Sequence, residues 1–267
     1  MKITVNPIIT VSGGGNILTT FKFAQSTPAF TYTGGSLGWA FSIAPALTGV
    51  SIDTTTGVVT ADSTTPVGTY TETVTVTDSV GAIGITTMTI VINAAMVVGN
   101  GSNITTTQGV QRSSSAFTRT GGTGHFTFSL VAANDTATPS GITINPSTGV
   151  VTVDSSVTQG LYYESVTVTD SVNATASKLM TILVNGPLTI SENKVAVFTT
   201  FGRADTSTIF SYGGGTTPWK FSYVNTSTGL AISGVTIDSV TGRLTIAANA
   251  AVGAFDITVS VTDSLSV

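Results

Sequence analysis

Glu72-Thr-Val-Thr-Val-Thr-Asp78-Ser-Val80 returns as Glu164-Ser-Val-Thr-Val-Thr-Asp170-Ser-Val172, and again as Ile257-Thr-Val-Ser-Val-Thr-Asp263-Ser-Leu265. The three aspartates stand 92 and 93 residues apart. Two further markers keep the same order and spacing. The turn Ser-Ile-Asp53-Thr-Thr-Thr-Gly57 recurs as Thr-Ile-Asn145-Pro-Ser-Thr-Gly149 and Thr-Ile-Asp238-Ser-Val-Thr-Gly242. Gly34-Gly35 leads to Trp39-Ala-Phe41, Gly121-Gly122 to Phe126-Thr-Phe128, and Gly213-Gly214-Gly215 to Trp219-Lys-Phe221. A fixed period in three markers defines three tandem copies of one unit.

Each copy reads as all-β. Val74-Thr75-Val76-Thr77 alternates with period two, which places Val on one face and Thr on the other, and no apolar stripe of period 3.6 occurs. Turn residues every 8 to 12 positions in a unit of about 90 residues predict a seven-strand sandwich. The inward parity of the Val74/Val76 strand includes Tyr70, with Tyr162 and Phe255 as equivalents. A tyrosine there resembles the tyrosine corner of Greek-key sandwiches, whose hydroxyl bonds back to the chain upstream; Phe255 lacks that hydroxyl. Glu72 and Glu164 share the parity while the third copy carries Ile257. An acid exchangeable with Ile predicts a site at the rim of the core, its carboxylate in reach of water.

Composition supports this and excludes much else. Thr (53) and Ser (29) stand in for the charged residues, which make up 8% of the 267, against about 25% in ordinary soluble domains. A net charge of −4 with nine scattered Lys and Arg forms no basic stripe for nucleic acid. No apolar run approaches the 18 residues of a membrane-spanning helix. One His and no Cys leave no zinc site, thiol nucleophile or disulfide.

Taken in order, the string Gly-Gly…aromatic-x-Phe-Ser, then Ser51-Ile-Asp53 to Gly57-Val-Val-Thr, then Val67-Gly-Thr-Tyr70 to Asp78-Ser resembles the bacterial "putative Ig" repeat, related to dystroglycan-type cadherin-like domains. The resemblance runs through the chain three times. It implies three tandem Ig-like (cadherin-like) Greek-key β-sandwiches in a linear array, within an extracellular, multi-repeat surface protein of bacterial type. Modules of this kind serve as spacers, adhesins and accessory domains alike, so the fold does not choose among them. Classical cadherins bind calcium through clustered acids, and this chain has no Asp-x-Asp and no acidic tripeptide. Asp78, Asp170, Asp263, Asp53 and Asp238, with Asn145 in the second copy, are expected to cap turns by accepting backbone N–H groups; calcium is the other reading, and it needs six to eight oxygens.

The closing strands set the frame. Met88-Thr-Ile-Val-Ile-Asn93 matches Met180-Thr-Ile-Leu-Val-Asn185, and Met1-Lys-Ile-Thr-Val-Asn6 matches both. Residues 1–6 therefore read as the closing strand of a preceding repeat, followed by repeats at 7–93, 94–185 and 186–267, the last lacking its final strand. Two readings stand: a window out of frame with its domains, or head-to-tail assembly in which Lys2–Asn6 of one subunit completes the third sandwich of its neighbour. The joints at Asn6-Pro7, Asn93-Ala94 and Asn185-Gly186 are short and carry no Gly/Ser tether, which predicts a semi-rigid rod.

No catalytic constellation emerges. His125 belongs to one copy only and reads as a loop residue, no Gly-x-Ser-x-Gly elbow accompanies it, and the Gly-rich runs lack the Lys-Ser/Thr of a phosphate loop. Asn100, Asn103, Asn134, Asn173 and Asn225 lie in sequons, about as many as chance supplies. Lys22, Lys178 and Lys194 do not recur as an isopeptide pattern would require. Trp39 and Trp219 either pack in the core or stack on sugar. The expectation is a non-enzymatic structural segment of an extracellular, cell-surface protein, a stalk or filament body without catalytic, cofactor or metal residues. Its partners are neighbouring copies of the same repeat or chain, with no nucleic acid and no membrane span in this segment. The alternative is an adhesin module that binds glycan or protein.

Overall fold

The Val-Thr strands that contain Val74 and Val166 have a partner on each side. The computed structural model describes residues 1–133, 137–191 and 196–266. In the first copy the strands are β1 (Thr10–Gly13), β2 (Ile17–Thr20), β3 (Gln25–Ser26), β4 (Phe30–Thr33), β5 (Ala40–Ala44), β6 (Val50–Ile52), β7 (Val59–Ala61), β8 (Gly68–Thr77) and β9 (Ile83–Asn93). One sheet has the order β2-β9-β8-β5, a second β3-β7-β6, and β1 pairs with β4. β8 and β9 form the long antiparallel hairpin, and β2 runs parallel to β9, with Ile17 beside Ile90 and Thr20 beside Asn93.

The second copy repeats the plan with β10 (Val97–Asn100), β11 (Ile104–Thr107), β12 (Arg112–Ser113), β13 (Phe117–Thr120), β14 (Phe126–Ala132), β15 (Ile142–Ile144), β16 (Val151–Val153), β17 (Gly160–Asp170) and β18 (Thr175–Asn185). Its sheets are ordered β11-β18-β17-β14 and β12-β16-β15, with β10 on β13. The third copy has β19 (Thr189–Ser191), β20 (Asp205–Thr206), β21 (Ser211–Gly213), β22 (Lys220–Asn225), β23 (Val235–Ile237), β24 (Leu244–Ile246) and β25 (Ile257–Thr262). Among the described residues it lacks counterparts of β2 and β9, so β22-β25 stands as a two-stranded sheet.

These are the all-β, tandem Ig-like sandwiches expected, but complete copies have nine strands rather than seven. The opening segment divides: β1 joins one sheet and β2 the other. Gly13 and Gly14, at φ +74 and +63, turn the chain between them, and Asn100 and Gly101 do so in the second copy at φ +43 and +70. Residues 1–9 form no strand. No helix of the described residues is long and apolar enough to cross a membrane.

Compactness divides the chain into two units. One is Met1–Asn100 with Phe117–Ser129 and Thr167–Lys178; the other is Gly101–Ala116 with Leu130–Val166 and Leu179–Val267. In the first, Ile17, Phe30, Phe41, Val59, Val74, Val76, Met88, Ile90 and Ile92 form one buried cluster. Full burial of such a side chain is worth about 1.5–3 kcal/mol. The closing strand thus contributes through Met88, Ile90 and Ile92 as well as through its ladder.

Glu72 corrects the sequence reading. It keeps the inward parity, but with Glu164 it is 1% exposed, inside the core rather than at its rim. Burial pushes both carboxyls above the ordinary glutamate range. The Thr138 hydroxyl donates to Glu164 Oε2 at 2.8 Å, whereas Glu72 Oε2 has no hydrogen-bond partner.

Candidate functional site

The residues that recur with the period converge where one copy meets the next. The first such joint lies wholly within the first compact unit. Thr20 ends β2 and Asn93 ends the parallel β9, so both side chains emerge at the same pole of the first copy. Facing them are Thr123, in the Gly121-Gly122 loop, and Asp170, which ends β17. Asn93 Nδ2 donates to Thr123 Oγ1 at 2.9 Å, Thr123 and Thr20 share a hydroxyl–hydroxyl bond of 2.8 Å, and the Thr20 hydroxyl donates to Asp170 Oδ2 at 2.6 Å. Because Thr20 spends its one proton on the carboxylate, Thr123 must donate to Thr20. The result is a directed relay, Asn93 to Thr123 to Thr20 to Asp170.

Backbone groups brace the relay. Asp170 Oδ2 also accepts the Thr123 amide at 2.9 Å, while Oδ1 accepts Val172 and Ala174. Burial works against the Asp170 charge, yet the Thr20 hydroxyl and these amides outweigh it and hold the carboxyl below the ordinary aspartate range. The Gly122 amide donates to Ala94 O at 2.9 Å, pinning the residue that follows the closing Asn. Here the double glycine finds its reason. Gly121 sits at φ +72, and a Cβ there would lie 2.3 Å from Ala95 O.

The second joint, within the other unit, is built alike. Asn185 donates to Thr216 at 3.0 Å, Thr216 and Thr107 bond at 2.8 Å, and Thr107 donates to Asp263 Oδ2 at 2.6 Å. Gly215 N donates to Gly186 O at 2.9 Å. Thr20, Thr107, Thr123 and Thr216 are all at least nine-tenths buried. Ahead of the first copy the acceptor half is also assembled. Asn6 Nδ2 donates to Ser36 Oγ at 3.0 Å, the Ser36 amide to Asp78 Oδ2 at 2.8 Å, and Gly35 N to Pro7 O at 2.9 Å. Among the described residues no threonine hydroxyl reaches Asp78.

The other candidates fall elsewhere. Asp53, Asn145 and Asp238 each accept two backbone amides within their own turns; those bonds lower the Asp53 and Asp238 pKa values. No three potential metal ligands cluster among the described residues. The tyrosine corner is present: Tyr70 donates to Pro66 O at 3.2 Å and Tyr162 to Thr158 O at 2.8 Å. His125 is exposed. Trp39 is half-buried, its ring 4.6 Å from Tyr32 and 5.7 Å from Phe41, beside an open groove of about 450 Å³. Trp219 is likewise half-buried, 4.9 Å from Tyr212, and donates to Gly214 O. Lys178 donates to Asn100 O at 2.7 Å. Asn134 and Lys194 lie outside the described residues. Sequence reasoning found the Asp, Gly-Gly and Asn positions but missed the four threonines: Thr20 and Thr107, each the second of a Thr-Thr pair closing the second strand of the first two copies, and their partners Thr123 and Thr216.

The fold and the joints define a tandem array of Ig-like β-sandwiches. Residues 89–185, from the closing strand of the first copy to the end of the second, match the family described as Putative Ig domain. No curated protein matches the chain. Among solved structures, the I-band fragment I67–I69 from titin is similar over 92% of this chain and 89% of its own, at 10% identity and a TM-score of 0.48. Domains 3–5 of the Drosophila OTK extracellular region align over 96% and 94%, at 8% identity and 0.36. Cadherin domains 3–6 of protocadherin gamma B2 align over 96% and 72%, at 14% and 0.34.

Proposed function

We propose that the chain is a structural repeat segment of an extracellular surface protein, serving as a stalk or as the body of a filament rather than as an enzyme. The observation that carries this reading is the relay of Asn, Thr, Thr and Asp, repeated at both joints with lengths that agree to about 0.1 Å and with its threonines buried at both. A joint closed by buried hydrogen bonds transmits load and orientation, whereas a tether of Gly and Ser would transmit neither. Repeat arrays draw their stability from such nearest-neighbour contacts.

Solution scattering tests it. The chain should give one maximum dimension that salt leaves unchanged, and four Gly/Ser residues inserted between Asn93 and Ala94 should broaden the distance distribution. Identical profiles for both chains would refute the spacer role. The groove beside Trp39 supports a second reading, an adhesin module whose half-buried aromatic face takes a sugar ring. That reading requires binding on a glycan array that Trp39→Ala abolishes.

A further inference from the structure

We propose that Asn100 is a modification site: its side-chain amide deamidates without an enzyme, through attack by the Gly101 backbone nitrogen, and Lys178 speeds the step. The proposal goes beyond the spacer role and does not depend on it. The chain holds two Asn-Gly pairs, Asn100-Gly101 and Asn185-Gly186, and the fold treats them in opposite ways.

The chemistry sets what each pair must offer. The Gly101 nitrogen gives up its proton and attacks the side-chain carbonyl carbon of Asn100. A C–N bond forms, the bond to the side-chain nitrogen breaks, and ammonia departs to leave a five-membered succinimide. Water then opens the ring at either carbonyl, giving aspartate or isoaspartate. The net change exchanges ammonia for water and an amide for a carboxylate. Glycine, having no Cβ, leaves its nitrogen open to the approach.

At Asn100 the groups the reaction uses are free. The turn between β10 and β11 takes a positive φ, supplied by Gly13 at +74 in the first copy and by Asn100 at +43 in the second; asparagine is among the few residues with a side chain that accept it. Asn100 is exposed, and its side chain makes no hydrogen bond among the described residues. The Gly14 amide donates to Ala29 O at 3.1 Å, whereas the Gly101 amide at the matching place donates to no acceptor among the described residues.

Lys178 adds the remaining element. Its Nζ donates to Asn100 O at 2.7 Å, the carbonyl of the same peptide group whose N–H must ionise. The ammonium also lies 6.0 Å from the centre of the Phe117 ring, a second attraction that keeps it in place. A cation on that oxygen stabilises the negative charge the peptide carries once its proton has gone.

Asn185 is the internal control. It is half-buried at the end of β18, beside Thr107 in the parallel ladder. Its Nδ2 donates to Thr216 at 3.0 Å, its carbonyl accepts the Gln108 amide at 2.9 Å, and Gly186 O accepts the Gly215 amide at 2.9 Å. These bonds must open before the side chain can turn onto the Gly186 nitrogen, which slows the reaction there by about tenfold or more.

Peptide mass spectrometry of the full chain, aged in warm neutral buffer, tests this. The peptide carrying Asn100 should gain one mass unit at least about tenfold faster than the peptide carrying Asn185, and should split into two isomeric products, aspartate and isoaspartate. Lys178→Met, which keeps the stem and removes the charge, should slow conversion at Asn100 about 3- to 10-fold, and Lys178→Arg should restore most of it. In urea the two sites should convert at similar rates, and Lys178→Met should have no effect. Asn100→Gly, which copies the first copy's turn, should abolish the fast conversion. Equal rates at both sites in the folded chain, an unchanged rate in Lys178→Met, or aspartate as the single product would each overturn the proposal.

Discussion

Thr20→Val isolates the relay at the first joint. Valine keeps the branched shape and the strand preference of threonine, so the change removes little besides one hydroxyl. That hydroxyl makes a 2.6 Å bond to the Asp170 carboxylate and a 2.8 Å bond to Thr123. A buried hydrogen bond to a charged group is worth about 1.5–3 kcal/mol and a neutral one about 0.5–1.5. Asp170 Oδ2 keeps the Thr123 amide, so the carboxylate is not left bare and the expected loss is about 2–3 kcal/mol. The two tryptophans lie in the first and third copies, which makes them local reporters: Trp39 for the unit carrying the change, Trp219 for the other. With Trp219→Phe as background, the Trp39 urea midpoint should fall by about 1–3 M, taking roughly 1–3 kcal/mol per molar. With Trp39→Phe as background, the Trp219 midpoint should stay in place, and Thr20→Ser should recover much of the loss. The Asp170 carboxyl is held below its ordinary value, so its contribution is present above that value and vanishes as pH falls through the lowered one. The gap between Thr20→Val and the parent chain should accordingly close in acid. An unmoved Trp39 midpoint, or equal movement of both reporters, would refute the relay.

Glu72→Gln should raise stability at pH 7, because burial lifts the carboxyl above the ordinary 4.5. The stability of the acid form is present below the ordinary value and lost as pH rises through the raised one, so the gain should disappear near pH 4 in urea titrations. Tyr162→Phe removes the bond to Thr158 O and should cost about 1 kcal/mol by the same titrations. Gly121→Ala, with its Cβ 2.3 Å from Ala95 O, should destabilise by more than Gly109→Ala, which has φ +94 but open space around it. Equal thermal midpoints for those two variants would mean that backbone strain alone, about 1–3 kcal/mol, explains the double glycine.

Much of this was legible because each signal has few imitators. Gly-Gly before an aromatic pair, Asp after Val-Thr-Val-Thr and Asn at the end of a closing strand stand out in this composition. All three prove to be joint residues, although the sequence alone assigns the aspartates to turns. Asp170 does both, one oxygen on its own turn and the other across the joint. Thr20 could not be found the same way, since one threonine among 53 carries no signal until a parallel strand fixes its direction. The depth of Glu72 was misjudged for a related reason. Parity reports which face a residue occupies, but depth depends on the sheet opposite, and alternation is silent on that.

The polarity of the relay explains how so uncharged a chain specifies head-to-tail order. At each of the two joints the earlier copy offers a donor pole, with a threonine hydroxyl and the amide of the closing Asn, and the later copy a pole that carries the aspartate. Two threonine poles facing each other have no carboxylate to take the hydroxyl proton, and two aspartate poles bury two carboxylates together, which costs more than either arrangement returns. Only donor against acceptor satisfies both poles. A salt-bridged interface would reach the same order by long-range attraction and would weaken in salt. Hydroxyls act only at contact, so the broad Thr and Ser faces beside the joint, with the same chemistry but no matching carboxylate, do not compete for it. The rarity of charge is thereby part of the specificity: an aspartate at one pole is read correctly because so few others lie within reach.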